Sequence, residues 1–260
     1  MVLRAAARPR IVSPLGLAAV MILVPATLGA CNQAEEIRKQ ALADSTAVTF
    51  ESIDGVQLSG RVFGPRDAVA GVVLAHMKPA DQSSWCDFGD ELGALGYRAL
   101  TFDFRGYCPG GVAGCSQGTA DISAIWQDVA GAVSLLRTEG VRRIALVGAS
   151  MGGTASLIVA SQADSGIDAV ITLSAPDVIE GLSAGPDVLQ TVAGAKLFIA
   201  GNGDGTAATV AQAFFDETLQ PKAVKILTTG DHGTDILEGN QAEIARNLIT
   251  GWLAVHVPVP

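Results

Sequence analysis

From about residue 47 the chain alternates short apolar runs with longer stretches in which apolar residues recur every three or four positions. Two runs come first, over residues 47–52 and 56–63. The turn-prone pair Asp54-Gly55 separates them, which predicts a β-hairpin. Residues 69–75 (VAGVVLA) are apolar without alternation, the pattern of a strand buried on both faces. A helix over 84–95, a strand over 97–104 and a glycine-rich loop from 105 to 118 follow. Ile122, Ile125, Trp126, Val129 and Val133 carry helical spacing through a long helix over 120–138. The series continues with strand 143–147, helix 151–163, strand 169–173, a short helix near Val188, strand 196–200, helix 207–215, strand 223–227 and helix 241–255. Such alternation predicts an α/β fold: a mostly parallel twisted sheet of about eight strands with helices on both faces. No internal repeat or second domain is visible over 46–260, and about twenty residues between the strands near Leu173 and Lys196 are too few for a cap domain.

The first thirty residues follow a different pattern. Arg4, Arg8 and Arg10 precede an apolar stretch from about Ile11 to Leu28, which ends in Leu28-Gly29-Ala30-Cys31. Residues 1–30 therefore read as an export signal. Pro14 and Pro25 interrupt the apolar stretch, which is also short for a membrane span. Its ending resembles the lipobox of bacterial lipoproteins. That resemblance implies acylation of Cys31, a chain anchored by lipid to a bacterial membrane in the cell envelope, and a polar tether over 31–45.

Composition narrows the partners. The apolar share is 49% and the charged share 17% of 260 residues, as in a globular protein with a sizeable core. The net charge is −9, and it becomes −12 once residues 1–30, with three arginines and no acid, are removed. An acidic surface argues against nucleic acid as a partner. Beyond Cys31 there remain Cys86, Cys108 and Cys115, and export permits disulfides. Cys108 and Cys115 close a short glycine-rich loop and are the first choice of pair, with Cys86–Cys108 as the rival. Neither the cysteine spacing nor a neighbouring histidine suggests a metal site, and no cofactor is implied.

Three serines lie in a G-x-S-x-G pattern: Ser116, Ser150 and Ser183. Letters alone do not separate them, but setting does. A nucleophilic serine needs a sharp turn from strand directly into helix, flanked by glycines that let backbones pass closely. Only Ser150 has an apolar strand before it and a helix of small residues after it. Its hydroxyl needs a base held close. Of the three histidines, His76 ends an early strand and His256 sits near the last residues, whereas His232 lies in a turn after the last strand. Loops at the carboxyl ends of parallel strands are where ligands gather. Asp204, in the loop after the strand 196–200, is the expected partner of the imidazole, with Asp177 as the alternative; Asp231 is too close in sequence to fold back onto its neighbour. Backbone donors for a developing oxyanion are expected from Met151 and from Lys78 or Met77, with Lys78 preferred. The Lys78 side chain itself reads as a solvated surface lysine.

With these pieces in order, the chain resembles the α/β-hydrolase superfamily, in particular small serine esterases and dienelactone-hydrolase-like members. The resemblance runs from about Thr46 to Val257 and rests on LAHMKPADQSSW, GYRALTFDFRGY, GASMGG, FIAGNGDG and TTGDHGTDIL. Two positions depart from the family's habit: Met77 stands where glycine often follows the histidine, and Cys108 where glycine often follows Arg-Gly-x. The resemblance implies a serine hydrolase acting on small carboxylic esters through an acyl-enzyme on Ser150. An amidase or peptidase of the same fold, or a lipid-anchored binding protein without turnover, remains open. The site should be fairly open, rimmed by residues 105–118 and 175–186.

Overall fold

The computed structural model describes residues 39–42, 44–108 and 115–260. The export signal, Cys31 and most of the tether lie outside the described residues, as does the tip of the glycine-rich loop. Among the described residues there are ten strands: β1 (Thr46–Glu51), β2 (Gln57–Phe63), β3 (Ala70–Ala75), β4 (Arg98–Phe102), β5 (Arg143–Ala149), β6 (Ala169–Leu173), β7 (Val178–Ile179), β8 (Leu182–Ser183), β9 (Ala195–Gly201) and β10 (Lys222–Leu227). The helices are α1 (Cys86–Ala94), α2 (Ile125–Thr138), α3 (Met151–Ser161), α4 (Pro186–Leu189), α5 (Ala207–Glu217) and α6 (Ala242–His256).

Eight strands form one sheet in the order β1-β2-β4-β3-β5-β6-β9-β10. The pairs β1·β2 and β2·β4 are antiparallel, and every pair from β4 to β10 is parallel. The unbroken apolar run of β3 has a simple cause. Val73 and Ala75 face one core layer, with α2, α3 and α5, while Ala70, Val72 and Leu74 face the other, with α1 and α6. A strand covered on both faces has no solvent side to mark with polar residues. The chain passes from β3 to β4 on one side and then to β5 on the other, so the strand order reverses between β3 and β5. Ligands of open parallel sheets bind outside the carboxyl ends of the strands at such a reversal.

Three details differ from the sequence reading. The strand expected to reach residue 104 ends at Phe102, because Asp103 and Arg105 turn into side-chain networks. The long helix opens as a 3-10 turn, Ile122–Ala124, in which the Ser123 amide donates to the Asp121 carboxylate (3.0 Å), before α2 begins. The β7–β8 hairpin was not anticipated, since strands of two residues are too short to show a period. At the other end of the chain, the last part of the tether is docked: Ala41 is buried, and Arg61 donates to the Leu42 carbonyl (3.0 Å) and the Ser45 hydroxyl (2.6 Å).

Candidate active site

β5 ends at Ala149 and α3 begins at Met151, which leaves Ser150 alone to reverse the backbone. It does so at φ 47°, ψ −122°, a conformation that costs a non-glycine residue on the order of 1–3 kcal/mol. The turn is held on both sides. The Ser150 N–H donates to the Leu173 carbonyl (2.8 Å), and its carbonyl accepts from the Gly153 and Thr154 amides (2.9 and 3.2 Å). Gly152 is required by crowding, because a Cβ there would collide with the carbonyl oxygens of Ala75 and His76. The other two pattern matches have different fates. Ser116 is buried, donates to the Asp103 carbonyl (2.6 Å) and accepts from the Ser59 amide (3.0 Å), so its hydroxyl ties loop to strand. Ser183 is an exposed residue of β8.

Asp204 and His232 follow adjacent parallel strands, β9 and β10, and the loops after them are laced together. The Asn202 amide donates to the Leu227 carbonyl and the Gly203 amide to the Thr229 carbonyl, both at 2.9 Å. This brings the Asp204 carboxylate to Nδ1 of His232, at 2.9 and 3.0 Å to its two oxygens. A carboxylate at Nδ1 assigns the ring proton to that nitrogen and leaves Nε2 as the basic lone pair. The alternatives are occupied elsewhere. Asp177 is exposed at the foot of the β7–β8 hairpin, and Asp231 accepts from the Thr229 hydroxyl (2.6 Å). His76 is buried, with Nε2 accepting from the Phe104 amide (3.2 Å) and Nδ1 donating to the Met77 carbonyl (2.8 Å); burial pushes its pKa down to about 4, so it is neutral. His256 ends α6, its ring 4.4 Å from that of Trp252.

The turn after His232, Gly233–Leu237, packs against β5 and β6. A Cβ on Gly233 would lie 3.3 Å from the Ala149 Cβ and 2.5 Å from the Met77 sulfur. Residues adjoining Ser150, His232 and the β3 loop therefore meet at one junction. Among the described residues no hydrogen bond joins the Ser150 hydroxyl to the imidazole; such bonds commonly tighten only when substrate is bound. The Met151 N–H heads α3, where a helix leaves its first amides without internal partners. Lys78 follows β3 by three residues, at the same end of the sheet.

Lys78 is exposed, the surface lysine that the sequence suggested, and it has an ion-pair partner that the sequence did not show. Its Nζ lies 2.9 Å from the Glu180 carboxylate, in the turn of the β7–β8 hairpin 102 positions away. Both partners border a cavity of about 480 Å³, further lined by Tyr107, Cys108, Ala120 and Ile122. A second cavity, of about 260 Å³, touches Ser174, Asp204 and His232. Beneath the rim, Arg105 donates to Asp54 (2.9 Å) and to the buried Asp128 (2.6 Å). These bonds hold Asp54 well below the usual carboxylate range, at about 2, while burial raises Asp128. Sequence reasoning did not find Glu180 or the Arg105 partners, because nothing local marks a charge for a mate 23, 51 or 102 positions off. Cys108 and Cys115 form a disulfide at the mouth, as first choice, with Cα atoms 4.4 Å apart; Cys86 is buried, its thiol 3.8 Å from the Gln82 carbonyl. Among the described residues no group of histidine, cysteine and carboxylate side chains could hold a metal ion.

Comparison with known proteins agrees with this architecture. An esterase of Pyrococcus furiosus is 18% identical and superposes with a TM-score of 0.66 over 84% of this chain and 94% of that one. A dienelactone hydrolase of Anabaena variabilis is 19% identical, with a TM-score of 0.66 over 82% and 99%. A thermophilic esterase of Thermogutta terrifontis is 18% identical, with a TM-score of 0.62 over the same shares. Among curated proteins no sequence matches significantly. The family model for the alpha/beta hydrolase fold matches residues 72–234, from β3 through the His232 turn and well over half of the sequence, and the chain belongs to that family.

Proposed function

We infer that the protein is a serine hydrolase that cleaves small carboxylic esters. The observation that carries this reading is the Asp204 carboxylate bound to Nδ1 of His232, in a turn packed against the strained Ser150 junction. In the proposed cycle His232 Nε2 takes the Ser150 proton as the hydroxyl oxygen attacks the ester carbonyl. The Met151 and Lys78 amides face the oxyanion, the alcohol leaves with the proton from the imidazolium, and a serine ester remains. Water, deprotonated by the same nitrogen, then releases the acid and restores Ser150. Asp204 holds the ring's tautomer and stabilises its charged form throughout.

Esterases and a dienelactone hydrolase among proteins of like fold favour ester over amide substrates. Labelling with a fluorophosphonate probe and hydrolysis of short p-nitrophenyl esters test the reading. Wild type is expected to label and turn over. Ser150→Ala should lose labelling and at least about 10³-fold in rate. Labelling that survives the substitution removes Ser150 as nucleophile, and a wild type that neither labels nor turns over supports a binding protein instead. Matched p-nitroanilides cleaved as fast as the esters would reassign it as an amidase. From residues 1–31 we also propose export and a lipid anchor at Cys31, so that the site works in the cell envelope.

A further inference from the structure

The larger cavity beside Lys78 has two kinds of wall. Tyr107, Ala120, Ile122 and Cys108 give it a mostly apolar lining, and its volume of about 480 Å³ lies in the range that holds small-molecule groups. At its rim the Lys78 ammonium and the Glu180 carboxylate neutralise each other at 2.9 Å, with both side chains about half exposed. Glu180 is held there by the two-residue turn of the β7–β8 hairpin, where Gly181 passes over Ser123.

The chemistry assigned to Ser150 says which part of an ester belongs in this space. With the carbonyl oxygen facing the Met151 and Lys78 amides, the two halves of the ester divide between this cavity, which Lys78 borders, and the smaller one at His232. The alcohol must depart where His232 can hand it a proton, and His232 borders the smaller cavity, not this one. A carboxylate on the acyl chain would find the lysine already matched and would face Glu180. An ammonium group would meet Lys78 in the same way.

Resting on the serine-hydrolase reading, we propose that this cavity is the acyl subsite for uncharged aliphatic acyl groups, and that the Lys78–Glu180 pair is its specificity-determining rim. Two variants test it through ratios of kcat/KM on p-nitrophenyl esters. Ala120 is an exposed wall residue, so Ala120→Phe puts a ring into the cavity without opening the core. The hexanoate-to-acetate ratio should fall tenfold or more. Glu180→Gln leaves Lys78 without its counter-charge, and the hemisuccinate-to-butyrate ratio should rise about tenfold, less so at high salt, where exposed charges are screened. Thermal unfolding checks that both variants fold. Ratios within twofold of wild type in both, with fluorophosphonate labelling intact, overturn the acyl subsite and leave the hydrolase standing. A wild type without labelling or turnover removes the hydrolase, and the subsite with it.

Discussion

The Asp204 carboxylate is 14% exposed, while the imidazole it holds is 41% exposed. The anion is thus partly withdrawn from water, and the ring it orients stays within reach of a substrate. Asp204→Asn keeps the shape but presents an amide that can fix the wrong tautomer. The expected result is a loss of about 10³–10⁴-fold in kcat with unchanged thermal unfolding; an unchanged rate would return the role to Asp177. Two buried groups nearby set the response to acid. His76 has its pKa pushed down to about 4, so the fold gains from its neutrality above about pH 6.5 and loses this as pH falls through 4. Asp103, clasped by Gln82 at 2.6 Å, is raised by burial to about 6 and has the opposite sign: its contribution is whole below about pH 4 and lost as pH rises through 6. The two slopes oppose each other between pH 4 and 6.5. Asp103→Asn removes its side of that opposition, so its urea midpoint should drop more steeply than that of wild type from pH 7 to 4.5. The excess loss should be on the order of 2 kcal/mol.

Among the elements, the β5–α3 junction demands most of the sequence. Gly152→Ala should cost about 1–3 kcal/mol by overpacking against the β3 carbonyls and, by moving Ser150, should lower ester turnover as well. Chemical unfolding and kinetics on one sample check both, and an unperturbed variant would mean that the junction is looser than its packing indicates. This junction was also the most legible part of the chain. An apolar strand, a serine between glycines and a small-residue helix are all local patterns, and the loops bearing Asp204 and His232 could be read from strand order alone. The β7–β8 hairpin could not. Its strands are two residues each, and the partner that gives it meaning, Lys78, lies on the far side of three strands and three helices in sequence. Asp54, Arg105 and Asp128 were illegible for the same reason. Their residue types are those of any solvated charge, and only burial of Asp128 at the foot of α2 turns them into a clasp.

At the scale of the whole molecule, that clasp joins three regions: the β1–β2 turn, the loop after β4 and α2. It steadies the floor on which Tyr107 and Cys108 stand. Among the described residues no helix is long and apolar enough to cross a membrane, and Cys31, the proposed anchor, lies outside those residues. Cys31→Ser should move the protein from the membrane fraction to the soluble one; continued sedimentation with membranes would count against acylation. Between β6 and β9 the chain spends its length on the β7–β8 hairpin and the single turn α4. The hairpin's tip, Glu180 at φ 43° and Gly181 at φ 88°, belongs to no strand of the large sheet. Residues added at that tip would hang over the mouth without disturbing a single rung of the main ladder, so the scaffold holds one natural point of growth at which an open cleft could acquire a roof.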